Sequence, residues 1–479
     1  MNHDSGGTRP VPLCVELNGT LFKTDLLVES LFSALGKHLS VLLWLWVWLW
    51  RGQAHLQRQL AKRCTVAPAQ IPLHHPFLAY LREQQQAGRP LIVLTSLDQQ
   101  LAQQVVEPLG LFESVLGSDG GQLCDSRRKL AWLQERFGPQ GFDYAGRRGE
   151  ELALFALARQ AILVSAQPSV CRAAAKRGNV NLQFAQSPPL FSTGMAALRV
   201  LHWSKNGILF LPLLFAHRYF EWSLLLKTGM ACMAFSLLAS SIYLLNDLLD
   251  LESDRLHPGK RDRPFASGVP DLRHWLWLIP LLLAAAALLA APLPDGVRLW
   301  LGIYYLSSVA YALLIKEYIV IDLLCLAFFY TIRLIVGGAA VAIDISLWLL
   351  TFSLFFFLSL ALAKRYSEAE QAIGQEMTTI PGRGYKTRDV HKIAAFGIGS
   401  ALGAVLVLAL YVNSESVARL YSRPGLVGLY CPLLTYWFAR IWWYARQGKL
   451  SDDPVSFVVL DRGSQWVLGA GLLLFFLSV

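Results

Sequence analysis

Short apolar runs alternate with helical patterns over the first part of the chain. The runs at 11–16, 90–95 and 161–165 are rich in β-prone residues, and a segment such as 98–107 between them has helical spacing. Strands that alternate with helices imply a parallel sheet. The pattern therefore predicts an α/β domain over residues 1–190.

From residue 196 onward, long apolar runs dominate the sequence. A helix of about 20 apolar residues spans a bilayer. We count nine predicted spans, which are 206–221, 222–245, 274–293, 298–315, 318–341, 346–363, 394–413, 425–444 and 464–479. The first is the weakest, because His217, Arg218 and Glu221 crowd its end. Residues 196–479 are thus predicted to form an all-α membrane bundle of nine transmembrane helices.

One segment of the N-terminal part is unusually apolar. Residues 39–50 contain four tryptophans, and His38 and Arg51 flank the run. It is too short to cross a bilayer, and tryptophan favours the membrane interface. We interpret it as a helix that lies on the membrane surface. A buried cap helix is the alternative, although so many tryptophans exceed what a small cap would bury.

Composition and charge agree with a membrane protein. Hydrophobic residues make up 54% of the chain and charged residues 16%, against about 25% charged in soluble domains. The net charge of +10 arises in loops, which predicts cytoplasmic loops rather than nucleic-acid binding. These basic loops are 246–273, 316–317, 364–393 and 445–463. The N-terminus is polar without a signal-peptide core, so the N-terminal domain is predicted to be cytoplasmic and the protein to lie in the inner membrane.

A polar segment at the end of the second predicted span carries the strongest chemical signal. Asn246, Asp250 and Asp254 are four residues apart, and Asp247 lies three before Asp250, so all four share one helical face. Like charges at a membrane boundary repel one another without a cation. Oxygen ligands of this kind suit Mg²⁺, which also binds substrate phosphates. We predict a Mg²⁺ site here rather than a solvated acidic helix end.

A basic turn follows the acidic face. It reads His257-Pro258-Gly259-Lys260-Arg261-Asp262-Arg263-Pro264. Lys260 and Arg263 are predicted to bind phosphate oxygens while the metal binds others. Together the two segments predict a site for a diphosphate.

The pattern NDxxDxxxDxxHPxKxxRP resembles the UbiA superfamily of intramembrane prenyltransferases. The resemblance covers residues 196–479. It implies a bundle of nine helices around a central cavity that is open sideways to a lipid tail. It also implies that Asn246, Asp247, Asp250 and Asp254 bind Mg²⁺-diphosphate, with the three aspartates as the catalytic set.

The chain departs from the usual family pattern after the sixth predicted span. Typical members have a second DxxxD motif there, whereas this chain has Lys364-Arg365-Tyr366-Ser367-Glu368. One metal-bound diphosphate and one unchelated phosphate would suit such a site. This is similar to the branch of the family that transfers phosphoribose from phosphoribosyl diphosphate to a polyprenyl phosphate. That branch also has segments similar to Arg199–Asn206 and to Gly382-Arg383-Gly384-Tyr385.

Several cations are candidates for orienting the lipid phosphate. Arg333 is the most informative, because an arginine inside a span is costly and usually functional. It could instead be the structural partner of an intramembrane acid such as Asp322, and Lys364 and Arg365 could merely anchor a cytoplasmic loop. The predicted substrate-binding set is Lys205, Asn206, Lys260, Arg263, Lys316, Asp322, Arg333, Lys364, Arg365, Tyr366, Arg383 and Tyr385.

The N-terminal domain resembles haloacid-dehalogenase-like hydrolases over about 11–185. Glu16-Leu17-Asn18-Gly19-Thr20 follows the first strand where that family has DxDGT, and Thr95 or Ser96, Lys129 and Asp143 fit its later motifs. The family uses its first aspartate as nucleophile and its second as acid and base. Glutamate misplaces the carboxylate and asparagine cannot exchange a proton, so we predict no phosphatase activity.

These observations leave three hypotheses for function. The favoured one is Mg²⁺-dependent transfer of 5-phosphoribose from phosphoribosyl diphosphate to a polyprenyl phosphate, as used in cell-envelope biosynthesis. The alternative is an aromatic polyprenyltransferase that uses a prenyl diphosphate. The third is a nonenzymatic lipid-binding or assembly protein. The oligomeric state stays open, with a homo-oligomer among the options.

Overall fold

The computed structural model describes residues 10–38, 40–63, 68–119, 121–176, 179–184, 190–257, 259–268, 272–379, 384–450, 457 and 461–479. The chain divides into two compact units. The first consists of Met1–Ala197 with Leu244–Leu278, and the second of Leu198–Tyr243 with Ile279–Val479. The acidic segment of the sequence analysis thus belongs to the first unit.

A parallel sheet of six strands forms the centre of the first unit, in the order β3-β2-β1-β4-β5-β6. The strands are β1 (Leu13–Val15), β2 (Leu91–Asp98), β3 (Ser114–Ser118), β4 (Asp143–Gly146), β5 (Ala161–Val164) and β6 (Val180–Phe184). The predicted α/β class is confirmed.

Helices pack against the sheet on both faces. The helices of this part of the chain are α1 (Leu26–Lys37), α2 (Ser40–Trp50), α3 (Gln53–Ala61), α4 (His75–Gln86), α5 (Gln99–Val106), α6 (Ser126–Phe137), α7 (Leu152–Leu157), α8 (Pro168–Ala175) and α9 (Leu190–Ala197), and the described residues of α2 and α9 do not contribute to the two cores beside the sheet. Side chains alternate between the faces of a strand. Leu13 and Val15 accordingly pack into one core with Phe77 of α4, and Cys14 packs into the other with Leu133 of α6.

The tryptophan-rich segment is helical and largely uncovered. In α2, Trp46 is 79% exposed and Trp50 is 89% exposed, while Trp48 is buried beneath Arg63. A cap helix that buries its tryptophans does not fit this arrangement. The location of α2 on a membrane stays a prediction.

Long apolar helices make up most of the second unit. By length and composition, five helical stretches of the described residues could cross a membrane: Trp222–Leu249, Asp295–Ile315, Ile321–Val341, Leu347–Gly374 and Thr387–Val412. The predicted helical membrane domain is confirmed at this level, and the number nine is not.

The first predicted span, 206–221, has another structure. A 3₁₀-helix covers Val200–Phe210, and α10 (Leu211–Phe215) adds five residues before the helix ends near His217, whose φ is +56°. Pro212 lies at the start of α10, where its missing N–H is tolerated. The expectation of a continuous α-helix over 206–221 was therefore wrong.

The remaining helices follow in chain order. They are α11 (Trp222–Leu249), α12 (Leu251–Leu256), α13 (Leu272–Ala290), α14 (Asp295–Ala310), α15 (Ile321–Val341), α16 (Leu347–Gly374), α17 (Val390–Val412), α18 (Glu415–Leu420), α19 (Pro424–Gly428), α20 (Tyr430–Arg446) and α21 (Arg462–Ser478). A π-helical turn, Tyr311–Ile315, extends α14.

Candidate functional site

The acidic segment spans the junction of two helices. α11 ends at Leu249 and α12 begins at Leu251, with Asp250 between them. The Asp250 N–H still donates to the Asn246 carbonyl at 2.9 Å, and the Asp254 N–H donates to the Asp250 carbonyl at 2.8 Å. Because the i to i−4 hydrogen bonds continue through the junction, residues four apart still lie on the same face of the helix.

Two of the aspartates converge on one cation. Asp247 and Asp254 are buried, and the Arg263 Nη1 lies 3.6 Å from Asp247 Oδ1 and 2.8 Å from Asp254 Oδ2. Two buried carboxylates so close need a positive charge between them. Arg263 was predicted to bind substrate phosphate, but here it bridges the carboxylates.

The turn after α12 brings Arg263 to this position. The N–H groups of Lys260 and Arg261 both donate to the His257 carbonyl at 3.0 Å, and the Arg263 N–H donates to the Lys260 carbonyl. The chain therefore reverses within a few residues and returns Arg263 to the acidic face. Lys260 lies in the same turn and is partly buried.

The acidic face provides some of the oxygen ligands that a Mg²⁺ ion requires. Asp247 and Asp254 both direct carboxylate oxygens toward one cation, Arg263, and such hard oxygens are the ligands that Mg²⁺ takes, so the chemistry of these two residues fits a Mg²⁺ site. Within the described part of the chain, no three His, Cys, Asp or Glu side chains form a ready metal cluster. The places of Asn246 and Asp250 among the ligands stay predictions.

In the second unit, Arg333 lies in a cage of neutral groups. It is almost fully buried in α15. Its Nε donates to Asn206 Oδ1 at 2.9 Å, and its guanidinium lies 4.8 Å from the centre of the Phe235 ring and 5.1 Å from that of Tyr330. Asn206 in turn donates to Ser236. Of the described residues, no carboxylate pairs with Arg333, so Asp322 is not its partner.

The partner of Asp322 is Arg365. Both are fully buried, and Arg365 donates to Asp322 Oδ2 at 3.1 Å and to Glu368 Oε2 at 2.6 Å. The Tyr385 hydroxyl donates to Asp322 Oδ1 and accepts from the Val320 N–H. Burial, followed by the hydrogen bond to Asp322, raises the pKa of Tyr385, which keeps the phenol a donor. The charge of Arg365 is thus compensated within the protein, which differs from the expected contact with the lipid phosphate.

The other predicted substrate-binding residues have separate surroundings. Lys205 is buried with its Nζ 3.2 Å from His202 Nδ1, Lys364 lies 3.9 Å from Glu368, and the Tyr366 ring packs edge-on against Trp442. Lys316 follows the π-helical turn and is partly buried. Arg383 lies outside the described residues.

A second cluster of charged groups lies at the carboxyl edge of the sheet. Lys129 donates to Glu16 Oε2, and both are buried. Burial alone would lower the pKa of Lys129, but Glu16 and then Glu151 outweigh it, so its pKa is raised. The pKa of Glu151 is raised by burial and then by Glu16. The predicted third-motif lysine therefore lies beside the first-motif glutamate.

Asp143 does not belong to that cluster. It is the first residue of β4 and is level with Leu13, whereas Glu16 follows the end of β1, so the two lie at opposite edges of the sheet. Asp143 pairs there with Arg89 and Arg159. The fit of Asp143 to a fourth motif stays a prediction, and its own side chain lies one strand length away from Glu16.

Comparisons with known proteins found a matching family and several similar sequences. The sequence model of the UbiA prenyltransferase family matches residues 207–468. Uncharacterized protein y4nM of Sinorhizobium fredii is 33% identical over 465 residues, which are 96% of this chain and 90% of that protein. Decaprenyl-phosphate phosphoribosyltransferase of Mycobacterium tuberculosis is 36% identical over 182 residues, which are 37% of this chain and 60% of that enzyme.

Among solved structures, a UbiA homolog from Archaeoglobus fulgidus bound to DMAPP and Mg²⁺ is 13% identical, with a TM-score of 0.42 over 54% of this chain and 98% of that chain. The family match spans more than half of the sequence and includes most of the apolar helices together with the acidic segment. The chain therefore belongs to the UbiA prenyltransferase family.

Proposed function

We propose that this protein is a Mg²⁺-dependent intramembrane transferase that moves 5-phosphoribose from phosphoribosyl diphosphate to a polyprenyl phosphate. The observation that carries the proposal is Arg333, a buried cation in a membrane helix with only neutral partners among the described residues. Such a charge is costly unless an anion compensates it. The phosphate of a lipid substrate would provide that anion.

The acidic segment supports a second, separate phosphate group in the same reaction. Asp247 and Asp254, with Asn246 and Asp250, would hold Mg²⁺, which neutralises the departing diphosphate. Lys260 would bind diphosphate oxygens, and Arg263 would do so after release from the two carboxylates. This chain has Lys364-Arg365 where typical family members have a second acidic motif. The substitution supports a site with one metal-bound diphosphate rather than a site in which two acidic motifs both bind metal.

The reaction is a substitution at the anomeric carbon. An oxygen of the polyprenyl phosphate forms a bond to that carbon while the bond to the diphosphate breaks. The products are polyprenyl phosphate carrying 5-phosphoribose, and free diphosphate. Arg333 and Lys205 would orient the lipid phosphate for attack, with Lys316 and Lys364 as further candidates. Arg365, Asp322 and Tyr385 would instead keep the α15 and α16 helices in register.

A reconstituted transfer assay tests this proposal. Vesicles that contain the full chain are incubated with Mg²⁺, labelled phosphoribosyl diphosphate and polyprenyl phosphate, and labelled lipid is expected. Asp250→Asn should lower the rate at least about a hundredfold, since a catalytic metal contributes several kcal/mol, while the yield of folded protein stays similar. Unchanged cellular function of Asp250→Asn would favour a nonenzymatic lipid-binding role.

An aromatic polyprenyltransferase is the other outcome of the same assay. With a prenyl diphosphate and an aromatic acceptor in place of the sugar and lipid phosphate, we expect no product. Prenylation of the aromatic ring, together with absence of labelled phosphoribosyl lipid, would replace the proposal by this alternative.

We further propose a nine-helix bundle for residues 196–479 and a degenerate haloacid-dehalogenase-like domain for residues 1–190 on the cytoplasmic side of the inner membrane. The strand order and the Glu16–Lys129 pair support the resemblance of the N-terminal domain to those hydrolases. The use of Asn18 as a hydrogen-bond acceptor for the start of α1 supports a loss of hydrolase activity.

A further inference from the structure

Helix α1 of the α/β domain contacts α12, the helix that carries Asp254. Glu29 of α1 forms a two-pronged ion pair with Arg255 of α12, with Nη1–Oε2 at 3.0 Å and Nη2–Oε1 at 2.5 Å. Their side chains are only 5% and 8% exposed. Paired hydrogen bonds between arginine and a carboxylate fix both distance and orientation. Arg255 is therefore held rigidly one residue after Asp254.

Further contacts follow the same face of α1. Ser33 Oγ donates to Glu252 Oε1 at 2.7 Å, and Lys37 Nζ lies 3.7 Å from Glu252 Oε2. Glu29, Ser33 and Lys37 are four residues apart, so they form one stripe along the helix. The Lys37 contact is half exposed and weak. The buried Glu29–Arg255 pair is the main connection.

Arg255 also holds the turn that returns Arg263 to the aspartates. Its Nε donates to the Ala266 carbonyl at 3.0 Å, and the Ser267 N–H donates to the Arg263 carbonyl at 2.9 Å. One guanidinium thus connects α1, α12 and the basic turn. The positions of both Asp254 and Arg263 therefore depend on the position of Arg255.

The start of α1 is fixed at the carboxyl edge of the sheet. Asn18 Oδ1 accepts from the Leu26 N–H at 3.2 Å, and Asp25 Oδ1 accepts from the Leu27 N–H at 3.1 Å. Asp25 also pairs with Arg148, which follows β4. Asn18, at the position where the similar hydrolases have their acid and base, thus accepts a hydrogen bond from the first turn of α1. The other end of α1 contacts the acidic segment through Ser33 and Glu252.

We propose that Glu29 is a positioning residue for the transferase: through Arg255, the α/β domain holds Asp254 and Arg263 in the geometry that receives the Mg²⁺-diphosphate group. The inference rests on the proposed diphosphate site but not on the sugar that the diphosphate carries. It gives the N-terminal domain a role in the reaction without any chemistry of its own.

Binding of Mg²⁺ with inorganic diphosphate to the detergent-purified full chain tests this role by calorimetry. Glu29→Gln should weaken binding about tenfold, the size expected for losing one charge-assisted pair, and Asp254→Asn should weaken it at least as much. Amide hydrogen exchange of residues 251–257 should become faster in Glu29→Gln. Exchanging the charges, Glu29→Arg with Arg255→Glu, should restore much of both properties.

Asp143→Asn is the matched control, since it also removes a buried carboxylate paired with arginine in the same domain, at the far edge of the sheet. It should leave diphosphate binding and exchange of 251–257 unchanged. Wild-type binding by Glu29→Gln, or an equal loss in Asp143→Asn, would overturn the inference. A wild-type protein that binds Mg²⁺-diphosphate but does not transfer phosphoribose would overturn only the proposed function.

Discussion

At the scale of single residues, two arginines in apolar helices differ in how their charge is compensated. Arg365 has Asp322 and Glu368 beside it, whereas Arg333 has an amide, a backbone carbonyl and aromatic rings. Breaking a buried pair leaves an uncompensated charge, so Arg365 is suited to structure. A cation with only neutral partners is suited to an anionic substrate, so Arg333 is the residue to which the proposed function assigns the lipid phosphate.

The Glu16–Lys129 pair gives a prediction with a pH dependence. Glu16→Ala leaves Lys129 buried without its nearest anion, which should destabilise the α/β domain by about 3–5 kcal/mol at neutral pH. In the wild type the raised pKa of Lys129 means that the stabilisation is present below the ordinary lysine pKa of about 10.4 and is lost as pH rises through the raised value.

The variant should lose most of this pH dependence. Without Glu16, burial of Lys129 is opposed chiefly by Glu151, so the pKa of Lys129 falls below its wild-type value and the deficit in stability should shrink as pH rises through the wild-type value. Hydrogen exchange of β2 in the full chain measures this. The double variant Glu16→Ala with Lys129→Met should recover most of the stability. A deficit that is independent of pH, or no recovery in the double variant, would contradict the assignment.

At the scale of elements, α2 and the acidic helix junction show what local sequence can and cannot specify. An apolar tryptophan-rich run predicts a helix, and the structure has one, but the exposure of Trp46 and Trp50 depends on what packs beside it. The spacing of Asn246, Asp250 and Asp254 likewise predicts a common face. It does not predict that Arg263 returns to that face, since the turn between them decides this.

Exposed tryptophans of α2 should contact lipid. In nanodiscs with brominated phospholipids, quenching of tryptophan fluorescence should decrease when Trp44, Trp46 and Trp50 are together replaced by Phe, because indoles at the interface lie within reach of the bromines. Trp132→Phe, in the same domain but stacked against Arg136, should leave the lipid-quenched signal unchanged. An unchanged signal in the triple variant would show that α2 faces water or another protein.

At the scale of the whole molecule, charge asymmetry determines the expected orientation. Arg255, Lys316, Lys364 and Arg446 lie in or next to loops on one predicted side, together with many other cations, whereas the opposite loops have few. The positive-inside rule places the cation-rich loops in the cytoplasm. The nine predicted spans, an odd number, would then put the two termini on opposite sides.

Reporter fusions measure this orientation. Green fluorescent protein should fluoresce when fused before residue 1, and alkaline phosphatase should be active when fused after residue 479, since each reporter works on one side of the membrane only. The reciprocal fusions should be inactive and serve as controls. Active alkaline phosphatase at both ends would reverse the predicted side of the α/β domain, and fluorescence at both ends would require an even number of spans.

The sequence by itself determined the features that depend on spacing along the chain. The α/β domain, the apolar helices and the acidic face follow from periodicities of a few residues, and hydrophobic burial and helical geometry act at that range. The prediction of the first span was wrong because the chain forms a 3₁₀-helix over Val200–Phe210 and turns at His217, although the average hydropathy favours a continuous α-helix.

Only the tertiary structure decided which charges meet. Arg365 pairs with Asp322, 43 residues away, whereas the sequence had suggested Arg333 as a partner of Asp322. Arg255 pairs with Glu29, 226 residues away, and the sequence suggested no partner for it. A sequence shows which residues carry charge, but the strength of an ion pair depends on distance and on exclusion of water. Both are properties of the packed chain, so the partners of buried charges, and with them the roles proposed for Arg333 and Glu29, depend on the fold.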